Sequence, residues 1–230
     1  MIEIVPAILP SSFEDLVSHL QRVRGIARAV QVDLVDGSFA PNTTWPYKEY
    51  EAFEAIAHEE EGMPFWEEFD FEFDVMANHP ERDVESLVHA GGSRIIIHVK
   101  SEGAIKALEL LQQFRGGDFG VKTGVALEIS HEPSALSQFD GLYDFVQVMG
   151  IAKVGFQGQA FDERAIEAVR KLRAAHPNLS IQVDGGVRLE NAKKLTEAGA
   201  NRLVVGSAIF STDDPREAIE ALYTEVNGSE

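Results

Sequence analysis

An alternation constrains this chain more than any other feature. Eight short runs of apolar and β-branched residues recur along its 230 residues, with amphipathic stretches between them. The runs are Ile2–Leu9, Ala29–Leu34, Phe69–Val75, Ser93–Val99, Val121–Leu127, Tyr143–Val148, Leu179–Asp184 and Asn201–Gly206. They are short and mostly end at Gly, Asp or Pro, which marks strands rather than helix segments. Phe161–Ala175 and Leu189–Ala198 instead carry apolar residues at a spacing near 3.6, the period of a helix with one buried face. Ser12-Phe-Glu-Asp15 opens a further helix, with a hydroxyl to cap free amides and acids in the first turn.

Strands that alternate with helices lie parallel, and near-continuous apolar strands are covered on both faces. Eight such units predict a single (β/α)8 TIM barrel, a fold that 230 residues commonly fill. A doubly wound open sheet is the competing architecture, but no G-x-G-x-x-G follows the first strand. The chain thus reads as one domain over residues 1–230, without linker, repeat or low-complexity segment. One acidic insert, His58–Phe69 (58–69), holds Glu59-Glu60-Glu61 and Glu67-Glu68 around Trp66 and reads as an extended loop or a lid.

At 44% hydrophobic, the chain can bury a sizeable core. It has no cysteine, which excludes a disulfide framework and any thiolate metal site and suits the expected cytoplasmic location. The apolar start lacks a basic n-region and a cleavage site, so it reads as a first strand and not a signal peptide. No apolar run is long enough to cross a bilayer. A formal net charge of −18 makes nucleic acid and anionic membrane surfaces poor partners. An anionic substrate would be repelled at long range, so a phosphate site must depend on local backbone donors.

Reacting groups of a barrel sit where its strands end. Gln31-Val-Asp33 ends the second run, Glu72-Phe-Asp74-Val-Met76 the third and Gln182-Val-Asp184 the seventh. Residues two apart share a face, so Gln31 with Asp33, and Glu72 with Asp74 and Met76, can all point inward. A lone aspartate at a strand end usually caps a turn. Three converging on one mouth need a cation, a proton or hydrogen bonds, and without a metal their crowding raises at least one pKa. Glycines form a second constellation: Gly155-Phe156-Gln157-Gly158 after the sixth strand, Gly185-Gly186 after the seventh, and Gly206-Ser207 after the eighth. Loops there are the usual phosphate site of this fold, and glycine lets backbone amides approach phosphate oxygens.

At these residues the chain resembles the ribulose-phosphate 3-epimerase family over nearly its whole length. The resemblance lies in Pro6-Ala-Ile-Leu9 with Phe13, and in Val32-Asp-Leu-Val-Asp-Gly-Ser-Phe-Ala-Pro-Asn42. It continues in Asp74-Val-Met-Ala-Asn-His-Pro-Glu81, Ile97-His98, Gly124-Val-Ala-Leu127 and Val148-Met149. Gly155-Phe-Gln-Gly-Gln159, Val183-Asp-Gly-Gly-Val187, Gly199-Ala-Asn and Val205-Gly-Ser-Ala-Ile-Phe210 complete it. It implies a ribulose-phosphate-binding barrel and a metal-assisted epimerisation at C3 of a ketose phosphate. Asp33 and Asp184 fall at the two proton-transferring positions, and Gln31, Asp33, Asp74 and Asp184 at the metal positions. Gly155, Phe156, Gln157, Gly158, Gly185, Gly186, Gly206 and Ser207 fall on the phosphate, and Met76, His98, Met149 and Glu128 around the substrate.

The chain departs from that pattern at the reaction end. Gln31 and Asp74 stand where the family has histidines, Ala7 where it has a serine, and Val35 where it has a methionine. Glu128-Ile129 replaces an asparagine-proline. Oxygen donors of this kind favour Mg²⁺ or Mn²⁺ over Zn²⁺, or no metal at all. The expected partner is a small phosphorylated sugar, and the resemblance allows a homo-oligomer. Two alternatives to an epimerase follow. One is a phosphosugar-binding relative with a degenerate metal site. The other is a phosphosugar lyase or aldolase working through Lys100 or Lys153, whose simpler role is that of solvated loop residues. Trp45 and Trp66 read as packing residues, with cover for the mouth as the alternative role.

Overall fold

The computed structural model describes residues 1–117 and 119–228. Eight parallel strands close in sequential order into a barrel. They are β1 (Glu3–Ile8), β2 (Ala29–Val35), β3 (Asp70–Met76), β4 (Gly92–His98), β5 (Lys122–Leu127), β6 (Phe145–Met149), β7 (Ser180–Asp184) and β8 (Arg202–Val205). Pairing of Glu3–Pro6 with Arg202–Val205 closes the ring. Every strand begins and ends within two residues of its sequence expectation. The reason is visible in β2, buried at every position, which leaves an uninterrupted apolar signal on the helix-facing side.

The helices are α1 (Phe13–Val23), α2 (Tyr50–Ala57), α3 (Val84–His89), α4 (Ala104–Leu111), α5 (Arg164–Ala175), α6 (Leu189–Ala198), α7 (Ser207–Phe210) and α8 (Pro215–Asn227). The Ser12 hydroxyl caps α1 by accepting from the Asp15 amide at 3.1 Å, as the sequence suggests. α5 starts three residues later than its periodicity predicts. The Phe161 backbone is packed where a Cβ on Gly186 would fall, and Asp162 accepts from the Arg164 amide at 3.0 Å. Residues 161–163 are therefore an approach to the helix. The β5–β6 crossover carries a short 3₁₀ segment, Pro133–Phe139, in place of an α-helix. Leu16 and Leu20 of α1, Val169 and Leu172 of α5 and Leu195 of α6 share one core with the outward side chains of the strands. Each such fully buried side chain contributes about 1.5–3 kcal/mol relative to exposure.

The inward faces are different, because much of the barrel's interior is polar. At the N-terminal end of the strands, fully buried Glu72 accepts from Arg94 Nε at 2.5 Å and from Arg202 Nη1 at 2.6 Å. Arg202 Nε also donates to Glu3 at 2.6 Å. The Arg94 guanidinium lies 3.7 Å from the centroid of the Phe145 ring. Two arginines thus face two glutamates, and the buried charge is balanced locally.

The acidic insert leads into the start of β3, so it lies at the end of the barrel opposite the mouth. It is no lid. Arg24 and Arg28, which flank the entry to β2, hold it through Glu68 and Asp70, and Met63 and Phe69 anchor it in the core. Trp66 is 63% exposed on that far end. Trp45 is buried between Phe13 and Phe53, at ring-centroid distances of 5.7 and 5.6 Å. Neither tryptophan covers the mouth.

Candidate active site

Period-two alternation brings Asp33, Asp74 and Asp184 to the C-terminal ends of β2, β3 and β7. One carboxylate oxygen from each lies within 4.8 Å of the other two. Asp74 is fully buried, and Asp33 and Asp184 are 7% exposed. Burial pushes the Asp33 carboxyl well above the ordinary carboxylate range, and the nearby Asp184 and Asp74 add to the shift. Burial likewise pushes Asp184 up to about 7, with Asp74 the next cause. Crowding thus adds to a rise that burial leads. Burial and mutual repulsion favour a proton held between Asp33 and Asp184.

Behind the triad, His98 at the end of β4 bridges two acids. Its Nε2 lies 3.0 Å from Asp74 Oδ1 and its Nδ1 lies 2.8 Å from Glu128 Oε1. Burial disfavours the charged ring, but Asp74 and Glu128 outweigh it and raise His98 to about 10. His98 is therefore an imidazolium that donates to both carboxylates. Glu128 is lowered in turn, since the His98 charge outweighs its burial. Both were expected to line the substrate pocket. His98 is fully buried, with the Phe39 ring edge-on at 5.0 Å, and meets the triad through its bond to Asp74, while Glu128 is bonded to His98 behind it.

The cleft itself runs from the acids to the glycine loops. Asp33, Asp184, Met76, Met149 and Ala7 line it together with Gly155 to Gln159, Gly185, Gly186, Gly206 and Ser207. All eight residues expected around a phosphate thus meet in the same cleft as two of the acids. Gly186 has φ +67°, and a Cβ there would lie 2.9 Å from Phe161 Cα, so only glycine leaves this turn unstrained. Gln157 uses its amide nitrogen to tie the β6 loop to the Ala7 carbonyl at 3.0 Å. Asn42 donates to the Gly155 carbonyl at 2.8 Å, so the loops after β2 and β6 clasp each other across the mouth.

Gln31 is a correction. Its Nε2 donates to Asp33 at 2.8 Å and to Asp184 at 3.1 Å, while its oxygen faces Gln182 Nε2 at 3.4 Å. It ties two carboxylates together and does not present an oxygen to a metal. The remaining donors fit a hard divalent cation, since three carboxylate oxygens converge at the mouth. Among the described residues, the buried His98 is the one cationic side chain hydrogen-bonded to the triad. Lys100 is exposed and lies 4.2 Å from the Phe39 ring centroid, and Lys153 is exposed, so neither has the desolvated setting of a Schiff-base lysine.

Gln147 was missed in the sequence. It donates to Asp74 Oδ2 at 3.1 Å and approaches Met149 Sδ at 3.4 Å. Its place two residues before Met149, on the same strand face, was the available signal.

A family model, the Ribulose-phosphate 3 epimerase family, matches residues 3–210. The ribulose-phosphate 3-epimerase, cytoplasmic isoform, of Oryza sativa subsp. japonica is 32% identical over 232 residues, 99% of this chain and 96% of that protein. The ribulose-phosphate 3-epimerase of Bacillus subtilis is 29% identical and covered in full, as is this chain. Among solved structures, KGPDC from Streptococcus mutans superposes with a TM-score of 0.70 at 13% identity, over 98% of this chain and 97% of that one. 3-hexulose-6-phosphate synthase from Salmonella typhimurium gives 0.68 at 14% identity, over 99% and 100%. These structural likenesses speak for the barrel fold alone.

Proposed function

Because the chain belongs to the ribulose-phosphate 3-epimerase family, whose members are isomerases, we propose that it inverts C3 of a ketopentose phosphate, interconverting ribulose 5-phosphate and xylulose 5-phosphate. The observation that carries this reading is the Asp33–Asp184 pair. Both are buried carboxyls with raised pKa, and both line the cleft that the glycine loops complete.

In this reading the phosphate lies against the backbone amides of Gly186, Gly206 and Ser207 and the Gly155–Gly158 loop. The sugar then extends toward the acids, over Met76 and Met149, whose soft side chains suit a ring-free chain. One of the aspartates, as carboxylate, takes the proton from C3, and the electron pair moves to the C2 carbonyl oxygen. The other, as carboxylic acid, returns a proton to C3 from the opposite face. The pair ends with its proton exchanged and is reset for the reverse direction. One shared proton between two carboxyls is the protonation state this exchange needs. Gln31, bonded to both, keeps them at fixed separation. A divalent ion, of the Mg²⁺ or Mn²⁺ class, would be held by Asp33, Asp74 and Asp184 and would supply Lewis-acid stabilisation of the developing negative charge.

The test is ribulose 5-phosphate in D₂O with Mg²⁺, Mn²⁺ or Zn²⁺ added separately, followed at C3 by NMR. Deuterium at C3 with formation of xylulose 5-phosphate is the expected result. Binding without exchange under every metal would leave a phosphosugar-binding protein and remove the enzyme reading.

A further inference from the structure

The interior of the barrel carries a chain of side-chain amides that joins its two charged ends. At the bottom, Gln182 Oε1 accepts from Arg202 Nη1 at 2.6 Å and from Arg94 Nη2 at 3.2 Å. Its Nε2 donates to Gln147 Oε1 at 2.6 Å and to Glu72 at 2.8 Å, and lies 3.4 Å from Gln31 Oε1. Gln147 Nε2 donates in turn to Asp74 Oδ2. Gln31 Nε2 donates to Asp33 and Asp184. All three glutamines are fully buried.

The direction of this chain is fixed by chemistry. Arginine has five donors and no acceptor, so the oxygen of Gln182 must face the two guanidinium groups. Its nitrogen then faces Glu72 on one side and the two other glutamines on the other, so the oxygens of Gln147 and Gln31 turn toward it. Their nitrogens are left pointing at the carboxylates. Turning any one amide over would set donor against donor at one end of it, in an interior where a lost hydrogen bond is costly. From these contacts we infer that Gln147 and Gln182 are positioning residues for the acid triad. The arginines orient Gln182, Gln182 orients Gln147, and Gln147 fixes one oxygen of Asp74 while His98 fixes the other. Asp74 is thereby held at both oxygens, in one rotamer, with its remaining lone pairs available at the mouth. Second-layer groups of this kind typically change metal affinity or activity by about 10–100-fold when removed.

The inference rests on the epimerase reading for its kinetic arm only. Gln147→Met keeps the length of the side chain and removes both amide bonds. Gln147→Leu removes the same two bonds with a different shape, so an effect shared by both variants does not depend on how either one packs. Mn²⁺ affinity is measured without substrate by electron paramagnetic resonance, alongside kcat and KM and the metal-free crystal structures of parent and variants. The expected result is Mn²⁺ binding weakened about tenfold, kcat lowered with KM nearly constant, and the Asp74 carboxylate turned from its parent rotamer. A role confined to packing would lower the melting temperature and leave affinity, kcat and the Asp74 rotamer as in the parent, and that outcome would overturn the inference. If the parent itself shows no turnover, the epimerase reading fails while the affinity and crystallographic arms still decide this one. If the parent binds no Mn²⁺, the Asp74 rotamer alone decides it.

Discussion

The two ends of the barrel bury the same kind of group and treat it in opposite ways. At the bottom, the buried Glu72 meets both Arg94 and Arg202, and Arg202 also reaches the half-exposed Glu3, so the buried carboxylate has two cations within hydrogen-bonding distance. At the mouth, three aspartates and Glu128 have His98 as their one buried cation among the described residues. The bottom is therefore complete in itself. The mouth is complete only when a proton or a cation arrives from outside. Local charge imbalance in a closed, well-packed scaffold is what marks the working end.

Substitutions that remove the imbalance sharpen the contrast most. Asp33→Asn or Asp184→Asn should lower kcat roughly 10²–10⁴-fold, the usual contribution of a positioned acid or base. The melting temperature should hold or rise, since a repelling buried carboxyl is gone. Turnover at the parent rate in both variants would break the assignment. At the other end the signs reverse. Arg202→Met leaves Glu72 with Arg94 alone and Glu3 to solvent, and should cost about 1–3 kcal/mol in urea unfolding, as loss of one hydrogen-bond partner of a buried group does. The folded fraction should keep its substrate affinity.

Gly186→Ala tests the far side of the cleft. Its φ of +67° and the Phe161 backbone 2.9 Å from an added Cβ should introduce about 1–3 kcal/mol of strain, read as a raised KM with kcat little changed. The smallest effect is on pH. Asp33 and Asp184 have folded pKa values above the unfolded 3.8, with Asp184 near 7, so the folded metal-free protein binds more protons than the unfolded chain between those values. Their contribution is present in full below the unfolded pKa and is lost as pH rises through about 7. Urea midpoints measured with chelator should fall from pH 5 to pH 8, and Asp184→Asn should flatten that slope. Added Mn²⁺ should restore more stability at pH 8 than at pH 5.

Much of the scaffold was legible because helix-facing strand residues leave an apolar signal that local sequence carries. The triad was legible for a related reason. Asp33, Asp74 and Asp184 lie at strand ends, and a period of two tells which face they share. The glutamine chain was not, because Gln147 and Gln182 find their partners only when the ring closes and brings Arg94 and Arg202 across it. The orientation of Gln31 was hidden for the same reason, since arginines two contacts away decide which of its atoms faces Asp33. The acidic insert reads from composition as an extended loop or a lid, and only the second alternative fails, because a segment that leads into a parallel strand lies at the end away from the mouth.

The layer of amides between the two charged ends also has a consequence for mutation. Gln31, Gln147 and Gln182 separate the residues that hold the ring together from those that face a substrate. A mutation at the mouth then meets uncharged neighbours before it reaches the arginine cluster. A change of charge among Asp33, Asp74 and Asp184 is thereby kept one layer of neutral side chains away from Arg94 and Arg202.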